Sequence, residues 1–252
     1  MISILRPYLI LFINYFLFRT LFTKRPNNLR VLILLMMFCH GLERFINAGD
    51  GGNEYLYLRR KLNWDIIDYA TFSTIVPGVV GLAANFIAVP LLSVKLKLRD
   101  STIIIMDITG CFIQTIILSM ATATWMVYLA GFIAFLDKTS YTTINSMLSK
   151  NVEPDEVGKI FSFVGALGEF LPVISSSLFG TIYRSTVDTL PQTYLIIIAC
   201  LFFVYWCVLL YIDRGIRRMN LEKIAHSNDT RKKDQQVDIH DNNLKAEKQD
   251  EV

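Results

Sequence analysis

Polar residues stand inside apolar runs at four places in the chain: FCHGLERF with His40, Glu43 and Arg44, IIIMDITG with Asp107, FLDKTSYTTINSML, and GALGEF with Glu169. In FLDKTSYTTINSML, Lys138, Tyr141, Thr142 and Asn145 follow i, i+3, i+4, i+7 spacing and form one stripe of a helix. Such a stripe either packs on another helix through small polar groups or lines a watered cavity, where Lys138 would meet an anion. His40 and Arg44 share a helix face. Two readings of them stay open: a helix end snorkelling at the outer interface, or a protonatable imidazole at the outer mouth of a pathway. Asp107 pairs with the basic loop at Lys95, Lys97 and Arg99 or takes part in proton movement. Glu169 is the carboxylate expected to be proton-linked, because burial disfavours its charged form; the alternative is a structural pair with Lys138.

Other chemistry has no local support. A Walker A lysine loop, HExxH and GxSxG are all missing from the sequence. Cys39, Cys111, Cys200 and Cys207 fall in apolar runs without CxxC spacing and read as buried small hydrophobes, neither a disulfide framework nor a zinc site. The expectation is no enzyme, no metal, no cofactor and no nucleic-acid partner.

The elements that must position these residues are membrane helices. Hydrophobic residues make up 53% of the 252, charged residues only 19%, and mean hydropathy is +0.41. Lipid offers the backbone no hydrogen-bond partners, and strict two-residue alternation is absent, so helices are expected over a barrel. Six runs have about a membrane's length: 31–48, 69–92, 102–120, 125–148, 159–183 and 192–212. The fold class is an all-α membrane protein with a six-helix bundle over 29–213. Before it, residues 1–28 hold the apolar stretch 8–22, which either lies in the interface as an amphipathic or short apolar helix or spans. After it, 214–252 has alternating charges and few aromatics and is expected to be a disordered cytoplasmic tail. Pro77, Pro90 and Pro172 are expected to kink their helices.

Lysine and arginine set the orientation. With six spans, Arg19, Lys24, Arg25 and Arg30, then Lys95, Lys97 and Arg99, then Lys150 and Lys159, then Arg214, Arg217 and Arg218 fall on one side, so both termini are expected in the cytoplasm.

Three stretches, INSMLSKNVEPDEVGKIFSFVGALGE, GGNEYLYLRRKLNWDIIDYATFST and VKLKLRD, resemble solute carrier family 46, which contains the proton-coupled folate transporter. The resemblance covers roughly Lys24 to Arg218 and is most specific at SMLSK–GKIFS. It implies a major-facilitator carrier, with this chain as the C-terminal six-helix (3+3) half and SMLSK–GKIFS as the cytoplasmic connection between the tenth and eleventh helices. Pro154 would start that turn and Gly158 would let the next helix begin. Family members often carry arginine at the position of Asn145, where it is thought to help bind anionic substrate or couple protons. Lys138, two turns earlier on the same face, could supply that cation.

The functional expectation is transport of a small organic solute, folate-like or another organic anion, coupled to protons by alternating access. Its partners are the solute, protons, the lipid bilayer, and a missing N-terminal half or second chain. Lys138, Tyr141, Thr142 and Asn145 would bind solute; Glu169, His40 and Asp107 would couple protons. The plasma membrane is expected ahead of the lysosomal membrane. The chain would be a truncated or partial carrier of this kind; the alternative is a non-transporting half-carrier that pairs with a full-length relative and regulates it. A tag after Val252 and a tag within 50–53 are expected on opposite sides of the membrane; labelling of both in unpermeabilised cells contradicts six spans.

Overall fold

The computed structural model describes residues 29–88, 90–95, 97–136 and 139–250. The apolar stretch 8–22, Asp137 and Lys138 lie outside them. Among the described residues all regular structure is helical. In chain order the helices are α1 (Leu29–Gly51), α2 (Glu54–Leu62), α3 (Ile66–Ser73), α4 (Asp100–Met120), α5 (Thr124–Ile133), α6 (Thr139–Asn151), α7 (Pro154–Thr186) and α8 (Thr193–Asp250). Four segments are long and apolar enough to cross a membrane: Ile66–Ser93, Asp100–Met120, Pro154–Thr186 and Thr193–Met219.

Local chemistry explains several boundaries. Asp65 caps α3 by accepting the N–H groups of Ile67 and Asp68, while Asp68 accepts the N–H of Asp65. Asn63, at φ 55°, ends α2 in the left-handed conformation that asparagine tolerates. Pro154 opens α7 at its first turn, with Asp155 and Glu156 beside the positive helix end. Gly158 lies within α7, where an added Cβ would meet nothing within 4 Å, so the start of this helix rests on Pro154 and not on the glycine.

Two expected spans are irregular. After α3 the chain passes through π-helical turns, Thr74–Val80 around Pro77 and then Ala84–Ala88. Pro77 has no N–H to return to Ser73, and wider turns accommodate the gap. The expected continuous span 125–148 is instead two helices, α5 and α6, parted by a turn at 134–136. By contrast, α7 runs through Pro172 as one helix.

The core forms where α1 packs on α7, and α4 on α5 and α6. Gly41 of α1 faces Leu171 of α7, and Gly49 faces Phe179 two turns further along both helices. The two helices are therefore parallel. Ser175 reinforces the seam by donating its hydroxyl to the Phe45 carbonyl, and Phe45 meets Phe179 edge-on with ring centroids 5.8 Å apart. Gly131 of α5 lets the Pro77 turn approach, since a Cβ there would sit 2.5 Å from Val76 Cγ1.

Cys39 and Cys111 are buried as expected, whereas Cys200 and Cys207 are exposed on α8. Contacts separate a second unit, Asp213–Val252, which is helical as far as Asp250 where composition alone led us to expect disorder. Within it Arg217 Nε lies 2.6 Å from Asp213, an i, i+4 pairing that favours helix.

Gly49→Val is expected to destabilise the chain in detergent by about 1–3 kcal/mol, because the added carbons meet the Phe179 ring. Gly165→Ala, with open space around it, is expected to be neutral or stabilising by about 0.4–1 kcal/mol. Thermal unfolding of the two variants checks both.

Candidate functional site

The break between α5 and α6 leaves the N-terminus of α6 without preceding helical turns. The first N–H groups of a helix have no partner of their own, and where they are buried the protein must supply one. Asp107 of α4, 1% exposed, does so: its Oδ2 accepts the Ser140 N–H at 2.6 Å. The carboxylate also matches the positive end of the helix dipole. Asp107 Oδ1 lies 3.5 Å from the Cys111 thiol, which donates to it. Ser140 then reaches the other way, its hydroxyl donating to Glu43 Oε1 at 2.9 Å, while Tyr205 of α8 donates to Glu43 Oε2 at 3.0 Å. Thr139 donates to Asn85 Oδ1 at 3.1 Å, and Asn85 donates to the Gly81 carbonyl at 2.9 Å. The first two residues of α6 thus tie together α1, α4 and the π-helical region after α3.

Glu43 and His40 stand inside the bundle, each 3% exposed. His40 is near the middle of Leu29–Gly51. Asp107 is bound at the α6 terminus, where the sequence reading weighed pairing with the basic loop.

A second polar surface runs beside this network. The His40 ring lies 4.9 Å from the Tyr141 ring, and the Arg44 guanidinium lies over Tyr141 at 5.5 Å, within cation–π range. Arg44 Nε donates to the Gly168 carbonyl at 3.3 Å. That carbonyl is available because Pro172, four residues on, has no N–H to give it. Arg44 Nη2 is also 3.7 Å from Glu169. The Glu169 side chain is 88% exposed, so the burial expected of it is not supplied by this chain, and its described partner is Arg44. His40 Nδ1 and Asn145 Oδ1 are buried and have no hydrogen-bond partner among the described residues. Thr142 is exposed and its hydroxyl turns back to the Thr139 carbonyl at 3.0 Å.

The structure therefore brings His40 and Tyr141 together, puts Thr142 and Asn145 on the same less-buried side of α6, and gives Glu169 to Arg44. Asp107 belongs to the Ser140 network instead. Sequence reasoning missed Ser140 and Tyr205, and gave Glu43 no role in the site. One signal was present: a carboxylate within an apolar run is costly unless partnered. Among the described residues no group of three or more His, Cys, Asp or Glu side chains is placed to hold a metal ion.

Outside the apolar segments, α2 closes the end of α4. Tyr57 donates its hydroxyl to the Leu118 carbonyl at 3.0 Å, and Lys61 donates to Tyr57 and to the Ser119 carbonyl, each at 2.7 Å. An ammonium group suits the carbonyl end of a helix. Burial pushes the Tyr57 hydroxyl well above its usual range and the Lys61 ammonium below its own.

No family model matches the chain. It is 25% identical over 192 residues to the probable peptidoglycan muropeptide transporter SLC46 of Drosophila melanogaster, covering 74% of this chain and 36% of that one. It is 28% identical over 168 residues to the lysosomal proton-coupled steroid conjugate and bile acid symporter SLC46A3 of Gallus gallus, covering 66% and 35%. Solute carrier family 46 member 2 of Mus musculus is 28% identical over 106 residues, covering 42% and 22%. The chain resembles solute carrier family 46 members, which are carriers and not enzymes, and it spans 36% and 35% of the length of the first two. With its membrane-length helices, it is a multi-pass membrane protein.

Asp107→Ala is expected to destabilise the protein by about 1–3 kcal/mol, because the Ser140 N–H is left buried without an acceptor. Asp107→Asn, which keeps an acceptor, is expected to recover part of that loss. Chemical unfolding in detergent reads both, and an unaffected Asp107→Ala contradicts the capping role.

Proposed function

We propose that this chain forms six membrane crossings of a proton-linked carrier for small organic anions, arranged as a 3+3 major-facilitator half. The observation that carries the reading is the interrupted helix α5/α6 with its polar surface: irregular backbone at membrane depth is tolerated where it is buried in protein or lines a watered cavity, and carriers build solute sites on such discontinuous helices. The count of six follows from direction. Parallel α1 and α7 need an odd number of crossings between them, and in this reading Ile66–Ser93, Asp100–Met120 and the pair α5/α6 make three. At 23 residues α1 is about 34 Å long, enough for a core of about 30 Å, and Thr193–Met219 makes the sixth. Six crossings put both ends on one side, and the placement of lysine and arginine makes that side cytoplasmic.

In this reading Lys138, Tyr141, Thr142 and Asn145 face the solute, with Arg44 behind Tyr141. His40, Glu169 and Asp107 are the proton-linked groups. Alternating access needs a second wall, from an N-terminal half or a second chain, opposite the surface where Glu169 is exposed. The same uncovered surface is what a half-carrier regulating a full-length relative would present. Candidate solutes are those in the names of the relatives, a muropeptide, a steroid conjugate and a bile acid.

Lysine inside a span costs about 2.5–3.5 kcal/mol on insertion scales, so a solute-binding role explains its retention. Lys138→Met is expected to insert as well as wild type yet lose about tenfold or more of proton-driven uptake of these anions, with Lys138→Arg keeping part of it. Poor insertion of Lys138→Met, rescued together with normal uptake by also neutralising Asp137 or Glu169, would make Lys138 a structural charge and overturn the reading.

A further inference from the structure

A cavity of about 260 Å³ lies within the bundle, apart from the Tyr141 surface. Its polar walls are two facing stripes. Along α1, Asn47 and Asp50 continue the line of Glu43 at i+4 and i+7. Along α4, Cys111, Gln114 and Thr115 continue the line of Asp107 at i+4, i+7 and i+8. Phe72, Val76 and Phe202 supply apolar wall, and no residue of α6 or α7 lines the space. One end is marked by Gly51, which is exposed, and by Glu54, whose carboxylate accepts the Tyr69 hydroxyl at 2.9 Å. The other end reaches Cys111, whose thiol touches Asp107, and Asp107 and Glu43 are joined through Ser140.

We infer that this cavity is the route by which protons reach the Glu43/Asp107 carboxylate pair, separate from the surface that would take the solute. The inference rests on the carrier reading for its purpose, which is coupling. The space suits water: it is roomy against the volume of about 30 Å³ that each water occupies, and Asn47, Asp50, Gln114 and Thr115 offer several polar partners. Asp50 and Glu54 at the exposed end raise the local concentration of cations, hydronium among them.

The arriving hydronium gives its proton to Glu43, forming an O–H bond and leaving water. The protonated oxygen then donates to the Ser140 hydroxyl that formerly donated to it, so the link between α1 and α6 persists with its direction reversed. The charge change occurs one residue from Arg44 and one turn from His40, on the helix that also borders the Tyr141 surface. Among the described residues, titratable and charged groups around the pair include Tyr205 from α8, Cys111 from α4, Cys39, His40 and Arg44 on α1 itself, and Glu169 of α7 through Arg44. Loss of negative charge at Glu43 leaves the field at the neighbouring Arg44 more positive, so that it holds an anion more strongly, which couples proton to solute without a shared path.

The full chain in liposomes tests this by infrared difference spectroscopy on a jump from neutral to acid pH. A protonated-carboxyl C=O band is expected, removed by Glu43→Gln, and appearing about tenfold more slowly when Thr115→Phe fills the cavity. In parallel, with Cys39, Cys200 and Cys207 replaced by alanine, a small cationic thiosulfonate applied from the Gly51 side is expected to modify Cys111, and Thr115→Phe to block it. A band that survives Glu43→Gln, or a Cys111 that the reagent does not reach in the otherwise unaltered chain, overturns the route. Absence of proton-driven anion uptake while band and labelling stand overturns the carrier reading alone.

Discussion

A helix interrupted inside a packed bundle must have its freed backbone groups satisfied by protein, and the Asp107–Ser140 hydrogen bond meets that demand here. The Glu43 and Asn85 contacts are arranged around it. The carboxylate fixes where α6 begins. The start of α6 fixes which way Ser140 and Tyr141 point. Ser140 holds Glu43 on one side of the break, and Tyr141 faces His40 and Arg44 on the other. A continuous helix would keep the Ser140 N–H for its own ladder and take that donor from the buried Asp107 carboxylate, a costly loss.

The second constraint is the seam between α1 and α7. Glycines at 41 and 49 let the two helices approach, and the consequence is chemical as well as steric. Close approach brings Arg44 to the Gly168 carbonyl, which Pro172 has left without a helical partner. Proline in α7 therefore acts less as a kink than as the source of an acceptor for the half-buried Arg44 guanidinium. Through that contact α1 serves both polar regions, with the Glu43 stripe toward α4 and the His40–Arg44 pair toward α6 and α7.

Much of this was legible in the sequence where the signal was local. Apolar runs at 102–120, 159–183 and 192–212 foreshadowed α4, α7 and the start of α8, because hydropathy over a membrane's length is a property of contiguous residues. The Tyr141, Thr142, Asn145 stripe was legible for the same reason, since helical spacing requires only neighbours. What escaped depends on distant partners. The break in 125–148 is stabilised by a carboxylate 33 residues away, and Glu43 is held by a tyrosine 162 residues away. Neither is marked by a turn motif. Glu169 misled for a related reason: its place in an apolar run implied burial, but exposure depends on which side of α7 is packed, and α1 covers another.

The most direct measurement is the Ser140 backbone amide, observed by NMR in labelled protein in detergent or nanodiscs. If Asp107 caps the interrupted helix, this amide is shifted downfield and exchanges slowly with solvent, and Asp107→Asn moves both the shift and the exchange rate of Ser140 while leaving the amides of Val127 and Ala130 in α5 unchanged. A Ser140 amide indifferent to Asp107→Asn, within a helix uninterrupted from Thr124 to Asn151, would contradict the account at its centre.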